Sequence, residues 1–323
     1  MILSAVIFTS VLVMAGVVVD LGMAYVDNSE LQKTADAAAF AASSLLPIQV
    51  STTDGLAKQA QAEALAREYL AKNDSGEAVF VGIDFGDSFT DDTDGELYTS
   101  VRVSLQRPVQ YLFGPIVGID GTTLTRHAKV RIEAVIGGVG IAPLGISKVR
   151  RDATPAGESV AITFDTHDEE VLNGNFGSLD LNGGGGGASE FEDHYVNGFF
   201  GDIILNDPDQ PLESQTGVIF GKAKSGFDER YNKCTHFPDQ GGCTVDHFVS
   251  GCPRVIVIVI HQRVTDKPPH LYMPMGFSPY ILDRLDNKAL YVYPITLRVK
   301  TGKSVPLTDF NYDFGLFRTR LVE

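Results

Sequence analysis

Residues Met1 to Val19 carry no charged side chain and consist mostly of Val, Ile, Leu, Met, Ala and Phe; from Asp20 to Leu46 there is then no proline. An uncharged run of roughly 17–25 residues spans a bilayer as a helix. A signal peptide begins in the same way. Against cleavage, no Lys or Arg precedes the run, and the first Ala-x-Ala pattern, Ala35-Asp36-Ala37, lies well beyond it. The run therefore reads as a retained anchor, and the missing basic flank also allows a native chain that begins upstream of Met1. The first charges after the span are Asp20, Asp27 and Glu30, with Lys33 the nearest base. Basic flanks hold a segment inside, and here there are hardly any, so the expected orientation has the amino terminus inside and the bulk of the chain translocated.

The helix is expected to continue past the membrane. Ala35, Ala37, Ala38, Ala39, Ala41 and Ala42 are strong helix formers, and Pro47 is the first clear stop. A continuous helix over 1–46 measures roughly 70 Å, more than twice a ~30 Å hydrocarbon core. Its outer half needs cover, either from other helices, which small side chains let approach closely, or from its own globular body.

The stretch Val17-Val18-Val19-Asp20-Leu21-Gly22-Met23-Ala24-Tyr25, followed by Leu31-Gln32-Lys33-Thr34-Ala35-Asp36-Ala37-Ala38-Ala39, resembles the amino terminus of Tad/Flp pilus-assembly proteins of the TadE/TadG kind. The resemblance implies a pilin-like, envelope-anchored role in making a surface filament. It also implies contacts through Val17, Val18, Asp20, Leu21, Gly22, Tyr25, Leu31, Ala35, Ala38, Ala39 and Ala42 with other pilin-like or TadE/TadG-like subunits and with the membrane. The segment from Arg107-Pro108-Val109 through Phe113 and Gly118 to Thr122–Ala128 looks like the same family.

Beyond the anchor (1–50), a second helix is expected from Thr53 to Asn73, with Ala62, Leu65, Ala66 and Tyr69 on one apolar face. Strands follow at Ala78–Phe85, Leu97–Leu105 and Leu124–Ile136, completing a pilin-like module over 51–136. Asp87, Asp91, Asp92, Asp94 and Glu96 crowd one turn. Carboxylates so placed suit calcium, but the EF-hand spacing is missing, and a solvated hairpin turn is the reading adopted. Residues 137–157, with several glycines, Pro143, Pro155 and the basic Lys148, Arg150 and Arg151, read as a linker.

Residues 158–323 alternate strand-sized apolar runs with turns: Val160–Phe164, Phe199–Leu205, the β-branched Val255–Ile260, Leu290–Val299 and Phe314–Leu321. No long amphipathic helix is evident, so this part reads as a β-rich, sandwich-like domain. The whole is α+β: a long amino-terminal transmembrane, pilin-like helix with a small antiparallel sheet, then the β-rich domain. Asn175–Leu181, Gly201-Asp202 and Thr216-Gly217-Val218 resemble a domain attached to TadE/TadG-like amino termini, for which the family supplies no activity.

Cys234, Cys243 and Cys252 are spaced nine apart, with His236 and His247 interleaved. On the oxidising side of a membrane a disulfide among the three is the default. Zinc would accept these donors, but the usual close Cys pairs are absent. No cofactor or metal is therefore expected. Gly183 to Gly187 lacks the Lys-Ser/Thr of a phosphate loop and reads as a flexible surface loop. His167-Asp168-Glu169-Glu170 and Glu192-Asp193-His194 place carboxylates beside histidine, but no known catalytic motif contains them. The net charge of −15 excludes nucleic acid as a partner. The expectation is a non-enzymatic, single-pass bacterial membrane protein with its body at the cell surface or in a pilus. The alternative is an adhesion or carbohydrate-binding module on the same anchor, with Tyr195, Phe199, Phe200, Tyr272 and Tyr280 as a sugar platform.

Overall fold

The computed structural model describes residues 2–74, 77–91, 95–155, 157–164, 177–184, 187–215, 219–265, 270–286, 289–307 and 313–322. Two compact units divide the chain, one of Met1–Ile132 with Thr319–Glu323 and the other of Glu133–Arg318.

The first unit opens with helix α1, Ile2–Ser43, a single 42-residue helix. It changes character along its length. Leu3, Ile7, Phe8, Val11, Leu12 and Met14 are exposed, whereas Leu31, Ala35, Ala38, Ala39 and Ala42 are buried. The buried set recurs at three- and four-residue steps, one stripe of the helix surface. That stripe packs on helix α2, Thr53–Asn73, and on strand β3, Gly95–Gln110. The Ala-rich half is thus covered by its own body. Helix α2 starts where the Thr52 side chain accepts a bond from Gly55 N–H, and it buries Gly55, Ala62, Ala66 and Leu70. Tyr69, expected on that face, points outward, and Leu70 takes its place. Alanines on both helices let the two backbones come close.

Strand β1, Ile48–Gln49, pairs antiparallel with the start of β3. Strand β2, Val79–Asp91, makes a long hairpin with β3, from Asp91↔Gly95 to Val79↔Gln106. Strand β4, Gly121–Gly137, pairs along the opposite edge of β3, from Ser100↔Arg131 to Gln110↔Gly121. Alternate residues of β3, among them Leu97, Val101, Val103, Leu105 and Val109, form its buried face. Arg107 belongs to the same face. Its buried guanidinium reaches Asp27 at 3.4 Å and Glu30 at 3.5 Å on α1, and it pairs with the buried Asp74 that caps α2. One cation therefore ties both helices to the sheet.

In the second unit strand β5, Ile141–Ser147, is buried along its whole length, and helix α3, Lys148–Asp152, is capped by Ser147. Both fall inside the stretch read from sequence as a linker. Glycine content misled there. A side chain at Gly145 would meet His261 at 2.6 Å and Leu179 at 2.7 Å, so the residue marks close packing rather than a flexible joint. Strands β6, Val160–Thr163, and β7, Leu179–Asp180, precede helix α4, Ala188–Asn197; strand β8, Leu212–Ser214, precedes helix α5, Phe220–Asn232. Phe199–Leu205, an expected strand, is a loop that keeps a single bridge from Phe199 to Ile141. Next come β9, Val255–Arg263; β10, Leu271–Asp286; β11, Ala289–Pro294; β12, Leu297–Val299; β13, Lys303–Pro306; and β14, Leu316–Leu321.

The central sheet runs β5-β9-β10-β11-β6, with β5 parallel to β9 and the other pairings antiparallel. Strand β9 is buried on both faces, as its β-branched run predicts. Val255, Val257 and Val259 join one core cluster with Leu181, Phe277, Cys243 and Cys252. Ile256, Ile258 and Ile260 join another, built on Phe191 and Tyr195 of α4 and Ala223 and Phe227 of α5. One face of this sheet is thus covered by two short helices that the apolar pattern does not announce.

Candidate functional site

The anchor residues fall into two groups. Leu31, Ala35, Ala38, Ala39 and Ala42 are buried in the first unit, and so is Asp20. Val18, Leu21 and Tyr25 are exposed, Val17 is at the margin, and a side chain at Gly22 would meet nothing within 4 Å. Val18, Leu21, Gly22 and Tyr25 are spaced i, i+3, i+4, i+7 and share one face of α1.

Asp20 is the first charge after the span, and the fold gives it a definite task. Its carboxylate accepts backbone N–H bonds from Leu112 (2.8 Å), Phe113 (3.0 Å) and Gly114 (2.7 Å). These amides open the 3-10 turn Gly114–Val117 between β3 and β4, where successive N–H groups have no partner of their own. One turn earlier on α1, Gly16 makes room for the loop, since a side chain there would sit 2.7 Å from Phe113 Cβ. Gly16 and Asp20 together clamp the loop to the helix. The loop carries Leu112, Phe113, Ile116, Val117 and Ile119, all exposed. This apolar collar lies beside the point where the uncharged run ends.

A second cluster lies in the loop between α5 and β9. Cys234, His236, Cys243 and Cys252 bring three sulfurs and a ring nitrogen within 4.8 Å of one another. All three thiols are free in the structure. The Cys252 thiol donates to Cys234 Sγ at 3.4 Å, and Cys234 Sγ lies 3.9 Å from His236 Nδ1. Backbone N–H groups of Cys243 and Arg254 donate to Cys234 Sγ and Cys252 Sγ, each at 3.4 Å. Desolvation opposes ionisation of Cys234, but the Cys243 N–H, the Cys252 thiol and His236 outweigh it and draw the thiol down to about 6. Burial, reinforced by the neighbouring sulfurs, pushes Cys252 up to about 12.

The remaining sequence candidates do not converge. On α4, Glu192 pairs with Lys222 at 2.5 Å, Asp193 accepts from Asn197 at 2.7 Å, and His194 packs edge-on against Phe199. The His167–Glu170 cluster, Asp92, Asp94, Asn175, Phe176, residues 216–218 and Gly185–Gly186 lie outside the described residues. In the acidic turn, Asp87 pairs with Lys129 at 2.7 Å and Glu96 accepts from Ser88 at 2.7 Å. Lys148 and Arg151 of the basic knot both pair with Asp152. Tyr195, Tyr272 and Tyr280 are fully buried; of the proposed sugar platform only Phe200 is well exposed. His261 escaped the sequence reading, because a lone histidine ending an apolar run carries no pattern. It is fully buried, its ring tilted at 57° against that of Tyr272, with neither ring nitrogen hydrogen-bonded, and burial depresses its pKa to about 3.

Among the described residues one helix is long and apolar enough to cross a membrane, and it runs into a folded body to which its first charged residue is clamped. In the comparison with protein families, residues 1–61 match the family described as "Putative Flp pilus-assembly TadE/G-like" (Tad). The match covers α1 and the start of α2, and residues 107–128 and 175–218 lie beyond it. No curated protein and no solved structure matches the chain.

Proposed function

We propose that this chain is a membrane-anchored, non-enzymatic component of a bacterial Tad/Flp-type pilus system, a minor pilin or an assembly subunit. The supporting observation is the division of labour along α1. Its first half is apolar and uncovered, its second half is locked into the body, and the TadE/G-like match covers both. The span anchors, with the amino terminus inside and the two units outside. The collar of Leu112, Phe113, Ile116, Val117 and Ile119 lies in the lipid interface beside the exit point, where apolar side chains are favoured. Helices of neighbouring TadE/TadG-like subunits pack on the face of Val18, Leu21, Gly22 and Tyr25, Gly22 permitting close approach.

A photo-crosslinking residue at Leu21 or Tyr25, in cells assembling pili, tests this reading. The expected product joins the chain to another pilin-like or TadE/TadG-like protein, while the same probe at Leu56 on α2 gives none. Equal crosslinking from both positions, or none from α1, would count against the proposal.

A further inference from the structure

We infer that Cys234, His236, Cys243 and Cys252 bind one zinc ion that folds the connection between α5 and β9. The four donors arrive from separate points of a loop that runs from Lys233 to Arg254 with one 3-10 turn, Pro238–Gln240, as its regular structure. Loops of this length are uncommon unless something organises them. A zinc ion with sulfur ligands at ~2.3 Å and nitrogen at ~2.0 Å in a tetrahedron sets the donors roughly 3.5–3.8 Å apart. The separations here, 3.4 Å between Cys234 Sγ and Cys252 Sγ and none above 4.8 Å in the set, already bracket that spacing.

A disulfide would use two of these groups and leave the third thiol and the imidazole converging on nothing. Thiolate and imidazole select zinc over the hard cations calcium and magnesium. The surroundings supply the outer support that such a centre needs. The Cys243 and Arg254 amides point their N–H groups at two of the sulfurs, as would stabilise thiolates. Arg254 itself is buried, and its guanidinium bonds the carbonyls of Tyr231 and Cys243. Among the described residues no carboxylate pairs with it. Zinc held by three thiolates and a neutral imidazole carries one net negative charge and would offset that cation. On binding, each thiol releases its proton to water while its sulfur lone pair enters the metal.

The full-length chain, purified in detergent with added ZnCl2 and dialysed against metal-free buffer, should retain one zinc per chain by elemental analysis. With CoCl2 in place of zinc, it should show tetrahedral ligand-field bands and sulfur-to-cobalt charge transfer. Cys243→Ser should lower the charge-transfer intensity by roughly a third, and His236→Cys, which keeps four donors, should raise it by a similar fraction. No retained metal with three free thiols, or an intact mass lowered by two hydrogens with no metal, would overturn the assignment. So would retained metal that Cys243→Ser and His236→Cys leave spectroscopically unchanged.

Discussion

Replacing Asp20 tests how the span is joined to the body. In Asp20→Ala the Leu112, Phe113 and Gly114 amides lose their common acceptor at 2.7–3.0 Å. A hydrogen bond to a charged group contributes about 1.5–3 kcal/mol, and leaving a buried donor unmade costs about 1–3 kcal/mol. The Gly114 bond is buried and the other two are partly so, which lets water recover some of the loss. The expected net weakening of the collar is about 2–4 kcal/mol, equivalent to roughly 30- to 1,000-fold in its opening equilibrium. Hydrogen exchange of the full chain in lipid nanodiscs should show protection of residues 112–114 falling by that factor, with residues 101–105 of β3 unchanged. Asp20→Asn, which keeps one acceptor oxygen, should fall between. Protection that changes less than about threefold in Asp20→Ala would refute the clamp, and uniform loss across β3 would show that Asp20 supports the whole unit instead.

Three further outcomes follow from the structure. Arg107→Met strands Asp74, Asp27 and Glu30 around an apolar side chain and should destabilise the first unit by about 3–5 kcal/mol, read as a lowered urea midpoint; an unchanged midpoint would show that the cluster is not structural. His261 stays neutral when folded because burial holds its pKa near 3, whereas the unfolded chain takes up a proton below ~6.5. Its contribution is therefore intact above pH ~6.5 and is lost as pH falls towards 3, about 2 kcal/mol at pH 5; His261→Met should remove that part of the pH dependence, and an identical slope in the variant would contradict it. Finally, the chain contains no tryptophan, so Ile116→Trp introduces a unique reporter in the collar. Bromine on shallow acyl positions should quench it and leave Leu56→Trp untouched; quenching by aqueous iodide equal at both positions would place the collar in water.

Much of the fold can be read from local pattern. The uncharged run, the alanine cluster and the alternation of Ala128, Val130, Ile132 and Ala134 announce α1 and β4, and the β-branched run announces β9. Strand β10 is hidden by Pro274, Gly276 and Pro279, which usually break a strand. Here the pairing with β9 shifts register between Pro274 and Gly276, and the strand continues around the irregularity. Helices α4 and α5 are short, and their buried contacts, such as Phe191 with Tyr195 and Ala223 with Phe227, are too few to set a period. The sites are less legible than the fold. Asp20 is conspicuous as the first charge, but its partners lie more than ninety positions away. The nine-residue cysteine spacing carries no geometry until the loop folds and brings His236 into reach.

The proposed role depends on where the chain resides. Filaments sheared from cells that assemble Flp-type pili, blotted beside the membrane fraction with and without external protease on cells lacking an enclosing outer membrane, test it most directly. The account predicts the chain in the filaments or the membrane, with both folded units digested by external protease and the span protected. Recovery in the soluble fraction, or a body wholly shielded from protease, would contradict it.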